Sequence, residues 1–150
     1  YANLPAILAG MDDHVGHGTV TSASVARADE GTTFEPSCYT DPLAIEHLTG
    51  SLSATIAHVG THGWRAPVGL RFTTKFDDVA PLLDLPHAGA TRVRMSVNAE
   101  DVSNRFEGGT ARLQRRLGAL RALASAGYRV GLTIAPIMPI LDWREGYGRL

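Results

Sequence analysis

Strict alternation of apolar and polar residues marks two stretches of the chain, 67–75 and 91–98. Alternation with a period of two is typical of a β-strand that has one buried face. A more continuous apolar run at 128–135 predicts another strand, and the polar, β-prone run before Cys38 predicts a fourth. The carboxyl ends of these four predicted strands fall at Cys38, Lys75, Asn98 and Ala135–Pro136.

Apolar residues spaced three and four positions apart predict helices between these strands. In the first helix Asp41 is a suitable cap, Pro42 takes the first helical position and Gly60 ends the helix. Its apolar stripe comprises Ile45, Leu48, Leu52, Ile56 and Val59. The second helix, at about 111–126, is predicted to bury Leu113, Leu117, Leu120 and Ala124 and to expose Arg112, Arg115 and Arg116. Shorter helices are predicted at 77–83 and 142–150.

Strands that alternate with helices are typical of βα units on a parallel sheet. We therefore predict an α/β fold, a partial (βα) barrel of about four units, because a complete barrel needs about 250 residues. Residues 34–150 hold these units, and residues 1–33 are predicted to be an irregular, loop-rich part of the same domain with a weakly indicated strand at 19–25. The chain starts at Tyr1 and stops within a predicted helix, so we expect it to be part of a longer protein.

The composition is that of an ordinary globular protein, with 44% apolar and 19% charged residues and a formal net charge of −1. No stretch approaches the ~20 apolar residues of a membrane span, so no membrane partner is expected. A single cysteine excludes an internal disulfide and favours a cytoplasmic location. One thiolate cannot hold an iron–sulfur cluster, and the pairs His14–His17 and His58–His62 lack further ligands, so we predict no metal site among these residues.

Five segments of the chain carry a family resemblance when they are taken in order. They are FEPSCYTDPLAIEHLT at 34–49, LRFTTKF at 70–76, TRVRMSVN at 91–98, AGYRVGLTIAPI at 126–137 and WREGY at 143–147. Together they resemble the spore photoproduct lyase family, which belongs to the radical S-adenosylmethionine enzymes. The resemblance implies a partial barrel of the radical S-adenosylmethionine type, with S-adenosylmethionine and a [4Fe-4S] cluster as cofactors. It further implies ultraviolet-damaged DNA and an electron donor as partners, whereas the sequence indicates no oligomeric state.

The resemblance also implies roles for individual residues. Cys38 looks like the family's hydrogen-atom donor, which quenches the product radical after the crosslink of a thymine–thymine adduct breaks. This agrees with thiol chemistry, because an S–H bond is weaker than the C–H bond that would form. Lys75 looks like the lysine that pairs with the carboxylate of the cofactor's methionine moiety. The full set of positions that match the cofactor pocket is Thr40, Asp41, Lys75, Ser96, Asn98 and Ala135.

A structural interpretation stands beside each of these roles. Cys38 also suits a buried hydrophobic position, and Thr40 with Asp41 also suits the start of a helix. Lys75 also suits a solvated surface, Asn98 could cap the following helix, and Ala135 could simply be a small residue that ends a strand.

The chain departs from the family pattern at the cluster. The family's three cysteines form a C-x3-C-x2-C motif before the matched region, and this chain has none of them. We therefore expect the chain alone to be inactive and the missing motif to lie upstream. Two other interpretations remain: a radical enzyme that acts on a different substrate, and a non-catalytic domain that binds nucleotide or DNA.

Overall fold

Four parallel strands form one sheet in the computed structural model of the chain, which describes residues 2–17, 31–37 and 39–150. The strands follow one another in space in their sequence order, β1–β2–β3–β4. Their bounds are Thr32–Phe34 for β1, Val68–Thr74 for β2, Thr91–Val97 for β3 and Arg129–Ile134 for β4. The sheet confirms the predicted α/β fold with about four βα units.

Six helices accompany the sheet within the described residues. They are α1 (Leu4–His14), α2 (Glu46–Thr49), α3 (Ser51–Thr61), α4 (Glu100–Phe106), α5 (Leu113–Ser125) and α6 (Trp143–Gly148). Where a helix was predicted at 77–83, a single 3-10 turn forms at Ala80–Leu82. Among the described helices none has the length and apolar character that crossing a membrane requires.

Helix α1 corrects the prediction of an irregular segment at 1–33. Leu4, Ile7, Leu8 and Met11 have the spacing of an apolar helical stripe, which the prediction missed. Of the eleven helical residues Met11 alone is buried, with Leu8 packed against the core. The strand predicted at 19–25 and the cysteine at position 38 lie outside the described residues.

The core lies between one face of the sheet and the helices. Alternate residues of β2 and β3 point into it, as the alternation predicted. Leu70, Phe72, Val93, Met95 and Val97 are each no more than 1% exposed. Burying a side chain of this size contributes about 1.5–3 kcal/mol, so the alternation fixes which face of each strand meets the helices. The opposite face carries polar side chains, which include those of Arg71, Thr73, Arg92 and Arg94.

The helix predicted at 42–60 is divided into two. Gly50 adopts a left-handed conformation, with φ of 59°, and separates α2 from α3. The buried carboxylate of Glu46 then accepts the backbone N–H groups of Leu52 at 2.8 Å and Ser53 at 3.0 Å, so it caps α3 from within α2. Leu48 lies in α2, on the other side of the break from the buried residues of α3, and is 76% exposed rather than part of the buried stripe.

Gly60 does not end α3, which continues to Thr61. Its role is close packing, since a Cβ atom built at Gly60 would lie 2.0 Å from the carbonyl oxygen of Pro86 and 2.7 Å from the backbone of His87. Only glycine allows the helix to approach that loop.

Helix α5 faces the sheet differently from the prediction. The residues it buries are Arg116, Ala119 and Leu123, while Ala124 is exposed. Leu113, Leu117 and Leu120 pack at the margin of the core. The prediction that Arg116 faces solvent was therefore wrong, because a partner for its charge comes from a loop outside the helix, as described below.

Candidate functional site

The carboxyl ends of the strands bring the predicted cofactor residues to one edge of the sheet. Because the strands are parallel, the segments that follow them leave the sheet on the same side. Thr40 and Asp41 follow β1, Lys75 follows β2, Asn98 follows β3 with Ser96 just before it, and Ala135 follows β4. Ligands of parallel α/β proteins bind at this edge, so these residues form a candidate site.

Asp41 joins the ends of β1 and β2. Its Oδ2 atom accepts hydrogen bonds from the backbone N–H of Lys75 at 2.7 Å and from the hydroxyl of Thr74 at 2.9 Å. Its Oδ1 atom accepts the backbone N–H of Leu43 at 3.1 Å, which caps the turn at 42–45. Asp41 therefore fixes the backbone of Lys75. The helix predicted to start at Pro42 does not start there, because Asp41 caps a turn and the helix begins at Glu46.

Thr40 lies in the loop at the end of β1 and is exposed. Its hydroxyl lies 2.8 Å from the hydroxyl of Ser37, which also accepts the backbone N–H of Thr40 at 3.1 Å. These bonds link Ser37 to Thr40. Cys38 lies outside the described residues.

Lys75, Glu107 and Arg116 form a chain of charges, which we call the carboxyl-end cluster. The Lys75 Nζ atom lies 2.7 Å from Glu107 Oε1, and an Arg116 Nη atom lies 2.8 Å from Glu107 Oε2. The exposed fraction is 31% for the Lys75 side chain, 6% for Glu107 and 1% for Arg116. Burial alone would raise the pKa of Glu107, but hydrogen bonds from Lys75 and Arg116 and their positive charges lower it below the usual 4.5.

The charges of the carboxyl-end cluster do not cancel. Within the cluster one carboxylate faces two cations, so its three side chains carry a net charge of +1. The nearby carboxylate of Asp41 is bonded to the backbone N–H of Lys75 and to Thr74 rather than to the ammonium. The Lys75 ammonium has three donors and gives one to Glu107, and it is also the most exposed member of the cluster. This arrangement suits an anionic partner such as a carboxylate, which an ammonium binds through charge-assisted hydrogen bonds.

Arg116 anchors this cluster to the sheet. Its guanidinium donates to the carbonyl oxygen of Ser96 at 3.0 Å, in β3, and to that of Ala111 at 2.6 Å. It also donates to the hydroxyl of Thr110 at 2.5 Å. The loop between α4 and α5 is thereby tied to the end of β3, and the predicted site residue Ser96 is 6% exposed.

Asn98 joins the ends of β3 and β4 and is 1% exposed. Its Nδ2 atom donates to the carbonyl oxygen of Pro136 at 3.2 Å, and its Oδ1 atom accepts the backbone N–H of Ala99 at 3.0 Å. The hydroxyl of Tyr147 also donates to Oδ1 and accepts the backbone N–H of Met138 at 3.0 Å. Asn98 thus holds the backbone next to Ala135, which is exposed at the end of β4.

Sequence reasoning missed Glu107, Arg116 and Tyr147 as members of this edge. A signal for Arg116 existed, since it falls on the same helical stripe as Leu113, Leu117 and Leu120. An arginine on an apolar stripe indicates a buried charge that needs a partner. Glu107 follows a short helix and precedes two glycines, and no local pattern marks it.

Comparison with known proteins gives a consistent result. The family described as spore photoproduct lyase matches residues 15–150. The chain is similar to spore photoproduct lyase of a Geobacillus species, with 40% identity over the whole chain and 40% of the relative, and to that of Bacillus subtilis, with 46% identity over 83% of the chain and 35% of the relative. It therefore spans well under half the length of these relatives.

A solved structure agrees with these relatives. It is a spore photoproduct lyase mutant with bound AdoMet and dinucleoside spore photoproduct. The whole chain matches 41% of that structure at 39% identity, with a TM-score of 0.86. The likeness therefore extends to the fold as well as the sequence.

Proposed function

The chain belongs to the spore photoproduct lyase family, and we propose on this basis that its complete gene product is a DNA-repair lyase. The substrate is the thymine–thymine adduct of ultraviolet-damaged DNA, and the cofactor is S-adenosylmethionine. The observation that carries the proposal is the match of the whole chain, at a TM-score of 0.86, to a lyase solved with both kinds of ligand.

The residues at the carboxyl edge fit part of S-adenosylmethionine. The net positive charge of the cluster suits the carboxylate of the cofactor's methionine moiety, as do the Lys75 donors that no described residue accepts. The exposed backbone at Ala135 suits the adenine edge, and Thr40 and Ser96 are the hydroxyl groups of the proposed pocket. Asp41 and Asn98, also assigned to the pocket, keep the neighbouring strand ends in place for these contacts.

The same residues do not fit the [4Fe-4S] cluster. The chain has one cysteine, and such a cluster requires several thiolate ligands. The proposal therefore requires cluster ligands from outside these 150 residues, together with an electron donor, and the chain alone is expected to be inactive. When bound, the reduced cluster and S-adenosylmethionine supply a deoxyadenosyl radical.

Cys38 is proposed to return a hydrogen atom to the product. Its S–H bond breaks as a C–H bond forms on the product radical, and the unpaired electron moves to the sulfur. The C–H bond is the stronger of the two, so the transfer is downhill and needs a neutral thiol rather than the thiolate of a nucleophilic cysteine.

The experiment that tests the function uses the complete gene product that contains this chain, with its cluster reconstituted. It is supplied with S-adenosylmethionine, a reductant and the dinucleoside adduct, and the products are separated by chromatography. Free thymidines are expected together with cofactor cleavage. Cofactor cleavage without repair would instead indicate a radical enzyme of a different substrate.

The test of Cys38 uses the same assay. Cys38→Ala is expected to consume the cofactor as the unchanged protein does but to give aberrant products in place of clean thymidines. Ser37→Ala, at the neighbouring position, is the control for disturbance of the loop. A product distribution in Cys38→Ala that matches the unchanged protein rejects the donor role.

A further inference from the structure

We infer that Glu107 is a positioning residue for cofactor binding: it holds the Lys75 ammonium where the carboxylate of S-adenosylmethionine is received, while Arg116 offsets its negative charge. The inference rests on the proposed function, because it takes the cofactor from there. It assigns a role in cofactor binding to Glu107 and Arg116, which do not touch the cofactor and act on it through Lys75.

Lys75 is held both at its backbone and at its ammonium group. A lysine side chain has a flexible four-carbon stem and loses about 2 kcal/mol of rotamer freedom when it is fixed. In this structure Asp41 holds the backbone N–H of Lys75 at 2.7 Å, and Glu107 holds its Nζ atom, also at 2.7 Å. The entropy of ordering the side chain is therefore lost on folding rather than on binding, which increases affinity for a ligand.

Arg116 preserves the positive charge at Lys75. Glu107 by itself would neutralise Lys75 and remove its attraction for a carboxylate. Arg116 prevents this, because it contacts the other oxygen of Glu107 at 2.8 Å. With 1% of its side chain exposed, Arg116 cannot reach a ligand, so the net positive charge of the cluster is presented by Lys75.

The contacts of Glu107 exclude the opposite role, in which it competes with the cofactor for Lys75 and must be displaced. The Glu107 carboxylate is held on its second oxygen by Arg116 and by the hydroxyl of Ser103 at 3.2 Å. It therefore cannot swing away without leaving Arg116 buried and unpaired. An ammonium has three donors, so Lys75 can bind Glu107 and a second carboxylate together.

The two roles predict opposite effects for Glu107→Gln, which keeps the shape of the side chain and removes its charge. Loss of a competing negative charge would tighten the binding of an anion. Loss of a positioning partner weakens it, and we expect about a tenfold increase in the Kd for S-adenosylmethionine, the effect of losing about one charge-assisted hydrogen bond.

The experiment is a calorimetric titration of the complete gene product with S-adenosylmethionine and with its decarboxylated analogue. Glu107→Gln is expected to weaken binding of the cofactor and to leave the Kd of the analogue unchanged, since the analogue lacks the group that Lys75 receives. Glu145→Gln is the matched control, because that side chain is 72% exposed and, among the described residues, pairs with Arg149, which directly follows the same helix. Tighter cofactor binding in Glu107→Gln, or equal weakening of both compounds, overturns the inference.

Lys75→Ala separates this inference from the proposed function. If it leaves the preference for S-adenosylmethionine over the analogue unchanged, the proposed Lys75 contact fails. If it removes the preference while Glu107→Gln does not, the contact stands and the positioning role of Glu107 fails.

A measurement without cofactor completes the test. Lys75 is the one lysine of these 150 residues, and its ammonium protons should exchange slowly with water while they are bonded to Glu107. We expect a slowly exchanging ¹⁵N ammonium signal that is absent in Lys75→Arg, which assigns it, and that is lost in Glu107→Gln. Should Glu107→Gln not fold, Ser103→Ala removes one restraint on the same carboxylate and is expected to speed this exchange; unchanged exchange contradicts the inference.

Discussion

The two ends of the sheet both bury polar side chains, but they do so in different ways. At the amino end, His87 donates through Nε2 to the carbonyl oxygen of Ala126 at 3.0 Å, while its Nδ1 accepts the backbone N–H of Gly89 at 3.0 Å. Its ring stacks on Tyr128 with centroids 3.8 Å apart, and the Tyr128 hydroxyl donates to the carbonyl oxygen of Leu82 at 2.5 Å. Both ring nitrogens of His87 and the hydroxyl are thus satisfied by neutral groups of the protein.

At the carboxyl end, the cluster of Lys75, Glu107 and Arg116 keeps an unbalanced charge and partly exposed donors. The difference shows that a buried polar network is not in itself evidence of a binding site. A network whose donors and acceptors all meet within the protein stabilises the fold, whereas one that retains charge and donors at a strand edge is suited to a ligand.

The largest expected effect comes from Glu107→Ala at the carboxyl end. It leaves Arg116 buried without a counter-charge, so the free energy of unfolding should fall by about 3–5 kcal/mol in urea denaturation. Glu145→Ala, at an exposed pair, should change it by less than about 1 kcal/mol. Equal effects of the two variants would show that the buried pair is not the stabilising element.

The pH dependence of the free energy of unfolding tests the same buried ion pair without truncating the Glu107 side chain. Because the pKa of Glu107 is lowered in the folded protein, its ionised form stabilises the fold above the unfolded value of about 4.5. This contribution is lost as the pH falls through the lower, folded-state pKa. The difference in unfolding free energy between the unchanged protein and Glu107→Gln should therefore shrink in that acid range.

The next largest effect is expected at the amino end, for Gly60→Ala. The new methyl group would collide with the backbone of Pro86 and His87, so we expect a loss of about 1–3 kcal/mol or more from overpacking. Gly118→Ala is the matched control, because Gly118 is also within a helix and has no heavy atom within 4 Å of a built Cβ. That variant should instead stabilise the protein by about 0.5–1 kcal/mol, since alanine is the better helix former.

Tyr128→Phe should lower the free energy of unfolding by about 1–3 kcal/mol, because the carbonyl oxygen of Leu82 loses its donor. Burial raises the pKa of Tyr128 from 10.0 to about 12. The neutral hydroxyl therefore stabilises the fold below pH 10, and this contribution is lost as the pH rises through about 12. Tyr39→Phe, at a fully exposed tyrosine, should leave the free energy of unfolding at neutral pH unchanged.

The smallest effect on stability, about 0.5–1.5 kcal/mol, is expected for Tyr147→Phe, which removes one donor to Asn98 and the acceptor of the Met138 N–H. This variant sharpens the comparison, because the same chemical change is made at each end of the sheet. Titration with S-adenosylmethionine should show weaker binding for Tyr147→Phe and unchanged binding for Tyr128→Phe. Equal affinities in the two variants would contradict the division between a binding end and a structural end.

Local patterns predicted the parts of the fold that depend on local rules. The alternation in β2 and β3 correctly gave the buried faces, because a strand places every second side chain on one side. The prediction of one continuous helix at 42–60 was wrong at its middle. The helix breaks at Gly50, and this break depends on the buried Glu46 carboxylate, which caps the next helix. A reading of apolar spacing cannot detect such a cap.

The residues of the candidate site, like the elements of the fold, were only partly predictable from the sequence. The edge of the sheet and the residues Lys75, Ser96 and Asn98 could be placed from strand ends and family resemblance. The burial of Arg116 was signalled by its place on an apolar stripe, but the contacts of Glu107 with Lys75 and of Arg116 with Ser96 could not be predicted, because they span 32 and 20 positions of the sequence. Long-range charge pairing leaves no periodic trace in the chain.

The bonds of Arg116 also bear on how the protein opens locally. The segment between α4 and α5 lacks regular structure. Even so, the hydroxyl of Thr110 and the carbonyl oxygen of Ala111 accept hydrogen bonds from the Arg116 guanidinium, which also donates to β3. Loops usually fluctuate independently of the strands beside them, but this one can detach only if a buried ion pair is broken. Its backbone amides should therefore exchange with solvent deuterium in the same cooperative event as those of β3, which makes an irregular loop one of the slowest-opening parts of the molecule.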